Sequence, residues 1–317
     1  MLPELPDFDW SLVADNETIL VATSGGADSQ TLLWALHENK RQIVAAHVNH
    51  GWRGEASDND EQFVMDFCVA HHIKKQSVRV SCARSEDAAR VARYDALLNL
   101  ARENSCTRIA LGHTATDSLE THLLNLARGA SVEGLAGIPP SRLVEDILLV
   151  RPLWRTPRET VRRALEISGW PHVEDESNAS PEFARNRIRA LLPQLGNVET
   201  IARSSARSGE ILRDDIACLD EIARAKIEDL KVRSISTVLA LDGDGFRALH
   251  IALQRRVLRE AARRFGFVPN SEPIEAVRRH VAANGKRIVW CWEKGVRCEW
   301  TGEASGNRIR LWRVGDG

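Results

Sequence analysis

The chain has 317 residues, 43% of them hydrophobic and 27% charged, with a net charge of −1. That length suggests two domains, or three small ones, with packed cores, and no apolar run approaches the ~18–20 residues needed to cross a bilayer, which excludes a membrane-spanning helix. The first residues carry neither a basic n-region nor an apolar h-region, so the expected compartment is the cytosol, and the cysteines (Cys68, Cys82, Cys106, Cys218, Cys291 and Cys298) contain no Cys-x-x-Cys pair that would read as a zinc or iron–sulfur ligand set.

In chain order, Ile19-Leu20-Val21-Ala22 reads as a buried strand. A Ser/Gly turn follows, and then a helical apolar pattern over 31–36. Strand, glycine turn and helix is the geometry that holds a phosphate: Gly25 and Gly26 let the backbone approach a ligand, and the amides of the first helical turn form an anion nest. Ser24 and Ser29 add hydroxyls. The turn lacks the Gly-Lys-Ser/Thr of a Walker A loop and the third glycine of a dinucleotide fingerprint. The bland alternative is an ordinary turn in which Ser24 or Asp28 merely caps the helix.

Residues 43–48 read as a second strand running into Asn49-His50, 58–72 as a helix, 76–80 as a strand and 87–103 as a helix. Residues 108–111 read as a strand leading into Gly112-His113, and 119–126 as a helix. This alternation predicts an α/β fold with a doubly wound, Rossmann-like parallel sheet. Ligands of such sheets bind beyond the carboxyl ends of the strands, where Ser24, His50 and His113 all fall. Residues 147–150 add a strand, 156–168 a helix, 170–181 a polar linker, and 185–192 and 201–230 further helices. Beyond 234 the pattern changes: a strand at 238–241, helices at 246–265 and 273–283, and short strands at 288–292, 296–300 and 309–312. The expected division is a catalytic domain over 1–215 and a smaller α+β domain over 216–317.

Residues 255–313 hold fourteen Lys/Arg against six Asp/Glu, an excess of eight positive charges. That asymmetry reads either as a polyanion-binding surface or as a solvated helix face. Trp290, Trp292, Trp300 and Trp312 lie on the predicted strands and are read mainly as core.

Ser24-Gly25-Gly26-Ala27-Asp28-Ser29 resembles the pyrophosphate loop of the N-type ATP pyrophosphatases. Further segments resemble one branch of them, the tRNA(Ile)-lysidine synthases. They are His47-Val48-Asn49-His50-Gly51, Ala89-Arg90-Val91-Ala92-Arg93-Tyr94, His113 through Thr121, Arg128-Gly129 with Gly134-Leu135, Arg151-Pro152-Leu153, and Asp175-x-Ser177-Asn178 followed by Arg185-Asn186-x-Ile188-Arg189. Thr114, Thr116 and Ser118 depart from the commoner His, Asp and Gln of the His113 block, while Asp117 and Glu120 are retained.

The resemblance implies ATP as cofactor with Mg2+, and adenylation of the wobble cytidine of a CAU-anticodon tRNA(Ile). Free L-lysine then displaces AMP. It assigns Ser24, Gly25, Gly26, Ala27, Asp28, Ser29 and His50 to the nucleotide, and Asp28 with Asp117 to the metal. Asp28, Arg90, Arg93, His113 and Asp117 are the expected catalytic residues. Glu120, Asn178, Arg185, Asn186 and Arg189 are assigned to the substrates, the last helix reading the anticodon loop. A tRNA thiolase of the same family, or a non-catalytic RNA-binding module, are the rival readings. No membrane partner is expected, and the oligomeric state stays open.

Overall fold

A computed structural model describes residues 2, 4–83, 85–174, 184–235, 237–301 and 306–314; Asp175, Ser177 and Asn178 lie outside the described residues. The chain divides into two compact units, one of residues 1–129 and 134–210, the other of 130–133 and 211–317.

The first unit is built on β1 (Ile19–Ala22), whose three leading side chains are fully buried. A strand apolar on both faces belongs at the centre of a parallel sheet. β1 pairs in parallel with β2 (Ile43–Asn49) and β4 (Arg108–Ala110), and the full order is β3-β2-β1-β4-β6-β5. β3 (Lys74–Arg79) is the lysine-bearing edge; β6 (Ile147–Val150) is parallel to β4, and β5 (Ser141–Val144) is antiparallel to β6. The sheet is doubly wound, as the sequence predicts. One face carries Ile19, Val21, Ala45 and Val150, with Leu32, Leu33 and Leu36 of α1 (Ala27–Glu38), Val64 and Phe67 of α2 (Glu55–Ala70) and Val161 of α6 (Arg158–Ser168). The other carries Leu20, Val44 and Ile109 against Leu97, Leu98 and Ala101 of α3 (Glu86–Glu103). Successive residues of β1 thus serve opposite layers, which is the period of two acting in a buried strand.

Three further helices complete this unit and lead out of it. α4 (Ala115–Ala127) and α7 (Ala184–Leu191) pack together over Ala115, Leu119, Ile188 and Leu192, and α8 (Val198–Leu230) adds Ala202 and Ala206. The short α5 (Val132–Leu135) follows α4.

The second unit is a five-stranded antiparallel sheet of order β7-β8-β11-β10-β9. Its strands are β7 (Lys231–Ile235), β8 (Val238–Asp242), β9 (Ile288–Cys291), β10 (Val296–Thr301) and β11 (Arg308–Arg313). α9 (Gly243–Ala248), α10 (Ile251–Arg263) and α11 (Ser271–Ala282) bury Phe246, Val257, Leu258, Ile274 and Val277 with Trp300 of the sheet. Trp300 is fully buried and donates its indole N–H to the Gly285 carbonyl at 2.9 Å. Trp292 is buried, Trp290 packs against the core, and Trp312 is half-buried.

The structure differs from the sequence expectation in three places. The helix expected over 246–265 is two helices, because His250 turns its imidazole onto the Ala252 amide and starts α10 afresh. β5 forms a hairpin with β6 through the two-residue loop Glu145-Asp146, with Glu145 at φ 53°. A glutamate in that left-handed position is a weak turn signal, unlike Asn-Gly. β7 is an exposed edge strand with no apolar core face, so its pattern does not separate it from a loop.

Part of the positive excess at the C-terminal end is met by acids from outside that window. Arg256 and Arg259 pair with Glu133, Arg256 also with Asp220, Arg264 with Glu228, and Arg308 with Asp242. No helix among the described residues is long and apolar enough to cross a membrane.

Candidate active site

The turn between β1 and α1 is built for close approach. Gly25 sits at φ +86°, and a Cβ there would press on Phe63, Val64 and Val173 at 3.3–3.5 Å. Gly26 caps α1 without any side-chain hydrogen bond, so neither Ser24 nor Asp28 is the cap. The Ser29 hydroxyl is turned back, donating to the Gly26 carbonyl at 2.9 Å and accepting the Ser24 amide at 3.2 Å. The loop is thus internally braced, and the first-turn amides of α1 stand at the positive end of the helix dipole, a geometry that favours an anion. Two supports come from outside it. His47 places Nδ1 3.0 Å from the Thr23 carbonyl, and Val173 donates its amide to the Gly25 carbonyl at 2.9 Å.

Gly112, at the end of β4, is a further support that sequence reading passed over as a site residue. A Cβ at Gly112 would lie 3.0–3.1 Å from the backbone of Asp28 and Ser29. Gly112→Ala is therefore expected to cost about 1–3 kcal/mol by forcing the first turn of α1 off β4. It should weaken ATP binding in parallel, as measured by urea unfolding and by nucleotide titration; unchanged values for both would show that the turn yields freely.

The first turn of α4 faces this loop. Thr114 and Asp117 form a capping box: Asp117 Oδ2 accepts from the Thr114 amide and hydroxyl, both at 2.8 Å. The three departures in this block all carry structural bonds. Thr114 pins Asp117, Thr116 Oγ1 accepts the Arg158 amide at 3.1 Å, and Ser118 Oγ accepts the Ile138 amide at 3.2 Å.

Arg158 is the residue sequence reading missed. It opens α6 and reaches three carboxylates: Asp28 at 3.2 Å, Asp117 at 2.7 Å and Glu120 at 3.0 Å. A cation at a helix N-terminus opposes the macrodipole. That misplacement was the one signal available that its partners lie on other elements. Arg185 and Arg189 of α7 enter the same cluster. Arg185 donates to Asp117 at 3.0 Å and to Glu120 at 2.6 Å, and Arg189 to Glu120 at 2.8 Å. These two were expected to face the anticodon loop; their guanidinium groups are held by carboxylates of α4. Asn186 lies between them on α7.

Burial and these arginines set the charges. Burial pushes the Asp28 carboxyl up, and Asp117 adds to this against the pull of Arg158, leaving it at about 6. Asp28 Oδ1 is buried and has no hydrogen-bond partner among the described residues. Burial pushes Asp117 and Glu120 up as well, but Arg158, Arg185 and, for Glu120, Arg189 outweigh it and hold both below the ordinary carboxylate range.

His113 follows β4 with Nδ1 buried and unpartnered among the described residues. Burial drives its pKa down to about 3, outweighing the attraction of Asp117. A depressed histidine contributes stability above its unfolded value, near 6.5, that is lost as pH falls toward the folded value. Its ring resonances should therefore stay those of neutral imidazole from pH 8 to about pH 4. A midpoint near 6.5 in an NMR titration would overturn this environment.

Arg90 and Arg93 lie on α3, both exposed. Arg90 donates to the Tyr94 hydroxyl at 3.3 Å and stacks over its ring at 5.0 Å. Arg93 Nε lies 3.3 Å from His50 Nε2. Arg151, buried at the end of β6, donates to the Pro139 carbonyl at 2.8 Å.

These features define an α/β protein of the pyrophosphate-loop class. Residues 7–195 match the family model described as a PP-loop domain, and residues 241–299 match the TilS substrate binding domain. The chain is 34% identical to the tRNA(Ile)-lysidine synthase of Methylobacterium sp. (strain 4-46), over 77% of this chain and 72% of that protein. It is 34% identical to that of Dehalococcoides mccartyi (strain CBDB1), over 78% and 57%, and 30% identical to that of Bacillus licheniformis, over 78% and 55%. The chain belongs to the tRNA(Ile)-lysidine synthase family. It spans little more than half the length of the last two relatives. Its fold is also similar to that of the U34-tRNA thiolase NcsA from Methanococcus maripaludis with its [4Fe-4S] cluster, at a TM-score of 0.56 and 20% identity, over 66% of this chain and 77% of that one.

Proposed function

We propose that this chain is a cytoplasmic ATP-dependent ligase that adenylates the wobble cytidine of a CAU-anticodon tRNA(Ile). It then joins free lysine to that base, releasing AMP and diphosphate. The observation that supports this most is the uncapped N-terminus of α1 beside the braced Ser24–Ser29 turn, on a chain that matches a PP-loop domain and the TilS substrate binding domain.

The work divides as follows. The amides of Gly26 through Ser29, with the Ser24 hydroxyl, receive the phosphates and favour the charge that builds on the leaving diphosphate. Asp28 presents one free oxygen, which fits a magnesium ion that otherwise keeps phosphate oxygens and water; such an ion would neutralise phosphate charge. Asp117, expected as a second metal carboxylate, has one oxygen on Thr114 and the other on Arg158 and Arg185, so it becomes a metal ligand only when those arginines transfer to phosphate. Among the described residues no three His, Cys, Asp or Glu side chains form a metal cluster. Arg90, Arg93 and His50 stand on the β2 and α3 side of the nucleotide to hold the substrate base and phosphates. His113, kept neutral, is a hydrogen-bonding group rather than a cation. Glu120 orders Arg185 and Arg189 against the lysine and tRNA side.

The test is transfer of radiolabelled lysine to CAU-anticodon tRNA(Ile) with ATP, following AMP by chromatography. Lysine-dependent labelling with AMP in equal amount is expected. Sulfur incorporation from a sulfur donor in place of lysine would favour the thiolase reading, and tRNA binding without AMP release would favour a non-catalytic module.

A further inference from the structure

α6 ends at Gly169, which takes the left-handed conformation at φ 71° and redirects the chain. The next residue, Trp170, packs against α1 and α2. Its ring centroid lies 4.8 Å from that of Phe67, 4.8 Å from His71 and 5.7 Å from His37. Phe67 and His71 are themselves stacked at 4.3 Å. The indole also packs on the apolar core beneath these helices. Pro171 and His172 are exposed, and Val173 is half-buried. The chain is therefore held at 170 and again at 173, and Pro171 stiffens the link by fixing its own φ.

At 173 the chain meets the pyrophosphate turn. Val173 donates its amide to the Gly25 carbonyl at 2.9 Å, and a Cβ on Gly25 would find the Val173 side chain at 3.5 Å. Gly25 and Gly26 flank a single peptide plane. With no Cβ on either side, that plane rotates at little steric cost. In a trans peptide the carbonyl and the following N–H point opposite ways, so a donor on the Gly25 carbonyl also aims the Gly26 N–H. That N–H is turned toward Ser24 Oγ, 3.4 Å away, and these are two of the groups that receive phosphate in the reading above.

We propose that Trp170 is a positioning residue for the pyrophosphate turn. Seated among Phe67, His71 and His37, it keeps the Val173 amide on the Gly25 carbonyl and so fixes the Gly25–Gly26 peptide with its N–H toward phosphate. This role deepens the reading of the turn as the ATP site and rests on it.

The test uses the full chain and three variants, Trp170→Ala, Trp170→Phe and Val173→Pro, titrated calorimetrically with ATP and with inorganic diphosphate. Trp170→Ala and Val173→Pro are each expected to weaken both ligands about tenfold, the scale of one hydrogen bond to a charged group. Trp170→Phe keeps a ring against Phe67 and His71 and should bind within about threefold of wild type. Val173→Pro removes the donor and leaves the aromatic contacts whole, so it decides the matter if Trp170→Ala does not fold. Undiminished binding by Val173→Pro, or a loss in Trp170→Phe equal to that in Trp170→Ala, would overturn the proposal. Nitrogen-15 NMR of the ligand-free protein reads the tether without ATP. In Trp170→Ala the Val173 amide should lose hydrogen-exchange protection and the Gly26 resonance should shift, while α1 beyond Thr31 stays protected. An unchanged Val173 amide would overturn the tether. A wild-type chain that binds neither ATP nor diphosphate would instead refute the ATP reading, and the exchange result would still judge the tether.

Discussion

Replacing Glu120 by Gln is expected to cost about 3 kcal/mol of folding stability, near the low end of what breaking a buried ion pair costs. Glu120 is 0% exposed and receives Arg158, Arg185 and Arg189. A glutamine keeps the volume but has one acceptor and turns an amide donor toward three cations. The arginines keep some access to water, which holds the cost below that of a fully enclosed pair. The loss should appear first in α7, which has no fully buried residue and is held by these bonds and by the packing of Ile188. Amides of 184–191 are expected to lose hydrogen-exchange protection before the sheet does. The double variant with Arg189→Gln should cost less than the sum of the two singles, because the partners share one network. A Glu120→Gln protein within about 0.5 kcal/mol of wild type in urea unfolding would show that the cluster is not what holds α7.

Asp28→Asn is expected to lower tRNA-dependent AMP release at least about 100-fold, the scale of losing one electrostatic partner of the transition state. The melting temperature should hardly move. The substitution is gentle on the fold, because Asp28 Oδ1 has no partner to lose among the described residues and an amide oxygen can still accept from Arg158. It is severe for the reaction, because with the amide oxygen kept on Arg158 the metal-facing position holds an NH2 group, which cannot ligate magnesium. Ser24→Ala should give a smaller loss, since the amides of the turn remain. Wild-type AMP formation by Asp28→Asn at low magnesium would remove Asp28 from the metal site.

The sequence by itself determined the α/β class, the pyrophosphate turn and the placing of Ser24, His50 and His113 at strand ends. Those features are local: a four-residue apolar strand, glycines at a turn and a helical apolar period are each written within about a dozen residues and need no distant partner. The tertiary structure alone decided what the charged residues do. Arg158 meets Asp28 across 130 positions and Asp117 across 41, and Arg185 and Arg189 meet Glu120 across 65 and 69. A basic helix reads the same in sequence whether it faces RNA or a buried glutamate; which one it faces depends on how α4, α6 and α7 pack. The same holds for Thr114, Thr116 and Ser118. They depart from the family pattern on paper, yet their hydroxyls close a capping box and brace two loops, because a short polar side chain in a buried turn must find a hydrogen-bond partner, and only the packed fold supplies one.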